Sequence, residues 1–291
     1  VTLLEQSDNG LFLIPIRGRP WAMDLLNEDP SFVAGALGGA FDPDTEHVVS
    51  PFVIGQLLRT VSLYAAREGG PVWEESIRRA VDGLIEIAVD RGDYAFFWPG
   101  PLWAAEQPPT DAIPRFHHHM GEVSLVYWGL VRAYEQIGYE PALALAGKLI
   151  AFHRDTFFAE DGEFVTAQHG AVKGHVHAHA RGLRAMTDYA LQVKDDELLE
   201  FVMKSYEWAR PKLNTLIGFV PNHVPGPEWH ERTISGELDE GESREYDADQ
   251  FNPCEVAGLA TMLATAVRLS AAGIADYWDD VDRWTRNMLA E

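Results

Sequence analysis

LRAMTDYALQVKDDELLEFVMKSYEW, residues 183 to 208, reads as helix, turn and helix. Small and apolar side chains recur at helical spacing up to a short polar turn, Asp195 supplies an N-cap oxygen, and a second helix with aromatic and aliphatic positions follows. The same order returns in LLRTVSLYAAREGGPVWEESIRRAVDGL (57–84), LVRAYEQIGYEPALALAGKLIAF (130–152) and TAVRLSAAGIADYWDDVDRWTRNM (265–288). Four hairpins of one pattern are an internal repeat.

Outward from these hairpins, the turns within each are short and the connections between them are long. The spacing predicts helices from Pro51 to Gly69, then over 72–90, 121–136, 141–153, 175–192, 195–211, 253–272 and 276–289. Residues 1–50 form an irregular arm, with LFLIPI as a short strand, and 51–291 form one helical domain. Repeated antiparallel helix pairs closing around an axis make an all-α fold, an α/α toroid. About four hairpins lie in this chain, which leaves open whether others are missing at its termini. First helices would line the inside, and the long connections would ring one mouth. Long connections inside a compact domain are usually functional, so that mouth is where a site is expected.

Composition narrows the partners. There are 45 Asp and Glu against 23 Lys and Arg, a formal charge of 23 − 45 = −22. Such a surface is unsuited to nucleic acid or anionic lipid, both of which need basic patches. No run approaches the length of a membrane span. The single cysteine, Cys254, excludes an internal disulfide framework and a zinc site built of several thiolates. The compartment stays open, leaning to the cytoplasm without excluding a lost N-terminal signal. A homo-oligomer is equally open.

Candidate site residues gather where first helices begin. HGAVKGHVHAHARG (169–182) places His175 and His179 on one helical face with His177 about 160° away. Ahead of the 121–136 helix stand His118, His119 and Glu122. In front of the 253–272 helix, the connection 212–250 carries Asn222, His223, Trp229 and the acidic run ELDEGESREYDAD. By repeat geometry these three groups, with the segment up to Glu255, share one cleft. Polar lining of that cleft outweighs metal ligation as the use of the histidines, since adjacent histidines rarely complete a ligand set alone. No cofactor is expected. A glycosidase needs a protonated carboxylic acid for the leaving oxygen and a second group as base or nucleophile. Glu237, Glu245, Asp247 and Asp249 can supply such groups.

Three segments carry a family resemblance: KGHVHAHARGLRAMTDYALQVKDDELLE, then IGFVPN, then FNPCEVAGLATMLATAVRLSAAGIADYWDDVDRWTRNML. They resemble the six-hairpin glycosidase-like superfamily, especially bacterial β-L-arabinofuranosidase-type glycoside hydrolases. The resemblance implies an α/α toroid, a glutamate acid/base in the connection before the later helix pair, and a zinc-bound nucleophilic cysteine. Gly236-Glu237 falls at a comparable position for the acid/base, and Asn252-Pro253-Cys254 resembles the family's Glu-x-Cys ligand segment. Asn252 replaces the ligand glutamate here, and the paired downstream cysteines are absent. Cys254 is therefore expected to keep only a structural place.

The leading expectation is an enzyme hydrolysing a glycosidic bond in an oligo- or polysaccharide, with a loop carboxylate as general acid. Glu237, Glu245, Asp247 and Tyr246 are its catalytic candidates. Its substrate-binding candidates are His118, His119, Glu122, His175, His177, His179, Asn222, His223, Trp229 and Asn252. One alternative is a polysaccharide lyase, in which Tyr246 and a cleft histidine take the proton α to a uronate carboxylate. The other is a non-catalytic glycan-binding or assembly module.

Overall fold

The computed structural model describes residues 6–12, 14–15, 47–48, 51–97, 117–164, 176–213, 220–221 and 255–289, with only the backbone path given for 14–15, 47–48, 117–122 and 289. Eight α-helices lie among them. They are α1 (Pro51–Glu68), α2 (Pro71–Ile87), α3 (His117–Ile137), α4 (Glu140–Phe157), α5 (Val176–Val193), α6 (Asp196–Ala209), α7 (Val256–Ala271) and α8 (Trp278–Trp284). A wider π turn, Thr285–Leu289, continues α8. A 3-10 turn, Arg210–Lys212, follows α6, and there are two antiparallel pairs of two-residue strands: β1 (Ile14–Pro15) with β2 (His47–Val48), and β3 (Val89–Asp90) with β4 (Ala95–Phe96). None of the described helices is long and apolar enough to cross a membrane.

The chain forms two compact units, Val1–Pro114 with Leu125–Phe152, and Arg115–Ser124 with His153–Glu291. In the first unit, α1 buries Phe52, Ile54, Leu58 and Val61, and α2 buries Ile77, Ala80, Val81 and Leu84. Pro51 and Pro71 both begin helices, where a missing N–H costs nothing. Between α1 and α2, Gly69 and Gly70 take φ of 67° and 106°. The two first helices of this unit cross backbone to backbone. A Cβ on Gly55 would lie 2.6 Å from the Val126 Cα, and one on Gly129 would strike the Gly55 carbonyl.

Residues 6–12 fold back as an isolated bridge between Gln6 and Phe12 and are tied to α2. Gln6 Nε2 donates to the Ser76 carbonyl at 3.0 Å, Arg79 Nη2 donates to the Ser7 carbonyl at 3.0 Å, and Leu11 and Phe12 are buried.

In the second unit, α5 packs most extensively against α7, while α6 and α8 close the hairpins. Asp195 caps α6 as its sequence suggests, accepting from Leu198 N at 2.9 Å. Trp284 and Tyr206 are fully buried. Tyr206 donates to Asp280 at 3.3 Å, and Arg210 reaches the same buried carboxylate at 2.6 and 2.8 Å.

Several boundaries differ from the sequence expectation for physical reasons. The second helix stops at Ile87 because Val89 and Asp90 pair with Phe96 and Ala95. The third starts at His117, ahead of Gly121, so its histidine run is the first helical turn. The seventh starts at Val256, after Glu255 has taken the N-cap position.

Candidate functional site

α5 begins with Val176, which places His177 in its first turn. α7 begins beside it, with Glu255 as N-cap at φ −99° and ψ 98°. An extended N-cap turns its side chain off the helix axis. The Glu255 carboxylate makes no capping bond to α7. It meets His177 instead, with Oε1 3.1 Å from Nδ1. Both side chains are about three-quarters buried, at 23% and 24% exposure. Enough water is excluded to strengthen the contact, and enough surface remains for a ligand to reach the pair.

Two neighbours fix this spacing. Glu255 N donates to the Val220 carbonyl at 2.9 Å. A Cβ on Gly258 would lie 3.0 Å from Val220 Cγ1 and 3.6 Å from His177 Cβ, so glycine allows the two first turns to approach. Val220 and Pro221 precede the stretch 222–254, and Glu255 follows it. The described residues that flank this stretch, Val220 and Glu255, are thus bonded to each other.

The α5–α7 seam is polar again eleven residues further along α5, about three turns from His177 on the same face. Asp188, fully buried, forms an ion pair with Arg184 Nη1 at 2.5 Å and accepts from Arg268 Nε at 2.8 Å. This triad joins the two helices.

His179 has a different place. It is fully buried, and its Nε2–H donates to the Phe157 carbonyl at 3.1 Å. Its ring stacks on Phe164 at 4.4 Å and meets Phe158 edge-on at 5.1 Å. Two residues of helix rotate side chains by about 200°, so His177 turns to α7 and His179 turns to the aromatic cluster. The two do not share a wall.

Of the other expected residues, His118 and His119 lie in the first turn of α3 with Glu122 just beyond, and only their backbone is described. His175, Asn222, His223, Trp229, Glu237, Glu245, Tyr246, Asp247, Asp249, Asn252 and Cys254 lie outside the described residues. Among the described residues no three His, Cys, Asp or Glu side chains gather as a metal site.

A separate groove of about 440 Å³ was not foreseen from the sequence. Arg154, Asp155 and Phe158 line it from the end of α4, and Glu197, Phe201 and Lys204 line it from α6. Arg154 lies 6.0 Å over the Phe201 ring and donates to Asp155 at 3.2 Å. The nearest sequence signal is the i, i+4 pair Glu200 and Lys204 on α6, which reads equally well as a solvated face.

No protein-family model matches the chain, and no curated protein matches it in sequence. Solved structures do match. An inactive variant of an α-1,6-mannanase from Salegentibacter sp. HEL1_6, in complex with α-1,6-mannotriose, is 12% identical with a TM-score of 0.59, over 99% of this chain and 67% of that one. The Lin0763 protein of Listeria innocua is 13% identical with a TM-score of 0.59, over 99% and 66%. A sugar epimerase from a ruminal bacterium is 11% identical with a TM-score of 0.51, over 92% and 67%. The chain thus spans about two thirds of the length of these proteins. At these identities the likeness is one of fold alone, an all-α architecture of helical hairpins, the α/α toroid.

Proposed function

We propose that the chain is a carbohydrate-active enzyme that hydrolyses a glycosidic bond, with a carboxylate of the 222–254 connection as general acid. The observation that carries this reading is the His177–Glu255 pair, partly exposed where two neighbouring first helices begin. The candidate acids Glu237, Glu245 and Asp247 lie in sequence between Val220 and Glu255, which are bonded to each other beside His177. Carbohydrate is what the matching mannanase and epimerase act on by name, and the shared fold makes sugars the first substrates to try.

The test is a panel of neutral and uronate-containing glycans, read for new reducing ends, with Glu237→Gln, Glu245→Gln and Asp247→Asn compared on any glycan cleaved. Loss of a general acid lowers kcat by about 10²- to 10⁴-fold. If all three variants keep wild-type turnover, the loop-acid reading fails. Ultraviolet-absorbing unsaturated products would move the assignment to a lyase.

A second reading is favoured by the pair itself. An imidazole hydrogen-bonded to a carboxylate suits moving a proton to or from carbon, as epimerisation requires. Incorporation of solvent deuterium into a sugar whose chain stays uncut would establish that reading over hydrolysis.

A further inference from the structure

We propose that Glu255 is a positioning residue, which holds His177 as its Nδ1–H tautomer and so leaves the basic lone pair of the ring on Nε2. The inference rests on the cleft reading above and extends it to one atom. An ionised carboxylate only accepts hydrogen bonds, so the contact at 3.1 Å requires the proton on Nδ1. In a neutral imidazole the lone pair then belongs to Nε2.

The neighbouring histidine supplies the contrast. A backbone carbonyl also only accepts, so the Phe157 carbonyl fixes His179 as Nε2–H. Two histidines two positions apart are thus set in opposite tautomers by their partners. The surroundings keep Glu255 in place for this task. Its N–H is held by Val220, its extended backbone directs the carboxylate away from α7, and Gly258 leaves room for His177 against the helix. Pairing an imidazole with a second group is a common way to fix its orientation and its basic nitrogen.

The test needs no substrate. Long-range ¹H–¹⁵N spectra of the neutral imidazoles should show His177 as Nδ1–H and His179 as Nε2–H. In Glu255→Ala the His177 ratio should move toward Nε2–H by about tenfold, the equilibrium worth of a charge-assisted hydrogen bond, with the His179 signature unchanged. If that variant fails to fold, seen as loss of the His179 signature, Glu255→Gln gives the same readout in a weaker form. An Nε2–H signature for wild-type His177, or a wild-type ratio in the folded variant, overturns the proposal.

On any glycan the wild-type chain turns over, Glu255→Ala should lower kcat about 10- to 100-fold at nearly constant KM, with Glu255→Asp recovering part of the loss. Unchanged kcat beside an altered tautomer would also overturn the positioning role. A chain that turns over no glycan would sink the hydrolase reading and leave the tautomer result to be judged by itself.

Discussion

Each compact unit brings two first helices together, and each uses glycine to do so, with different results. In the first unit Gly55 and Gly129 put the backbones of α1 and α3 in direct contact, so the crossing has no room for side chains. In the second unit Gly258 opens a smaller gap, and the α5–α7 seam keeps His177 with Glu255 at one point and Asp188 between two arginines at another. Close approach alone makes a joint. Approach relaxed by about one side chain makes a joint that can also hold chemistry.

The strongest way to break the polar seam is Asp188→Asn. The substitution leaves Arg184 and Arg268 beside a neutral amide, and removing one partner of a buried ion network costs about 3 to 5 kcal/mol. The lower end is expected because Arg268 is 39% exposed and retains water. The check is a fall in denaturant midpoint at unchanged slope. A loss below about 1 kcal/mol, the range of surface pairs, would show that apolar packing alone joins α5 to α7.

The apolar crossing should be the next most sensitive. Gly129→Ala places a methyl against the Gly55 carbonyl, a backbone atom that cannot rotate away. Overpacking of this kind costs about 1 to 3 kcal/mol, with the upper end expected here. Gly258→Ala meets only the tip of Val220 at 3.0 Å, and should cost about 1 kcal/mol or less on the same scale. Equal losses at the two positions would erase the distinction between the crossings.

These contrasts also show what the sequence could reveal. Helical spacing, Pro51 and Pro71 at helix starts, and Asp195 as a cap are local signals, and the helices follow from them. The strand pair Val89–Asp90 and Ala95–Phe96 is two residues long on each side, too short for an alternation to register. Repeat geometry brought the segments around His177 and Glu255 into one region, although 78 positions separate them. It could not select a face, because His177 and His179 differ only in helical phase and in the partners each meets. The acidic candidates had no such repeat to place them individually.

Alkali should test the second unit through its buried tyrosines. Burial, with the Asp280 carboxylate beside it, pushes the Tyr206 hydroxyl far above its ordinary 10.0. Burial and the hydrogen bond to Glu207 do the same for Tyr277. Because these folded-state values are raised, the stabilisation is complete below pH 10 and is lost as pH rises above it, where only the unfolded chain releases the protons. Each group can steepen the decline by up to about 1.4 kcal/mol per pH unit. Tyr277→Phe should flatten the alkaline limb measured by denaturant midpoints. An unchanged limb would mean that its proton does not couple to folding.

The smallest effect lies in the hairpin turns. The first hairpin turns through Gly69 at φ 67°, whereas the α5–α6 turn places Lys194 at φ 60°. Asp195 N donates back to the Ala190 carbonyl at 2.9 Å, so Lys194 fills the left-handed position that closes a helix and usually holds glycine. Left-handed backbone strains a residue with a Cβ, while glycine gives up more freedom on folding, and the difference favours glycine at such a position. Lys194→Gly should therefore stabilise the second unit by about 0.5 to 1 kcal/mol, and Gly69→Ala should destabilise the first by a similar amount. Opposite signs from the two variants would show that the hairpins share one turn geometry and differ in how well their residues suit it. A loss in both would mean that the Lys194 side chain holds the turn through contacts worth more than its backbone strain.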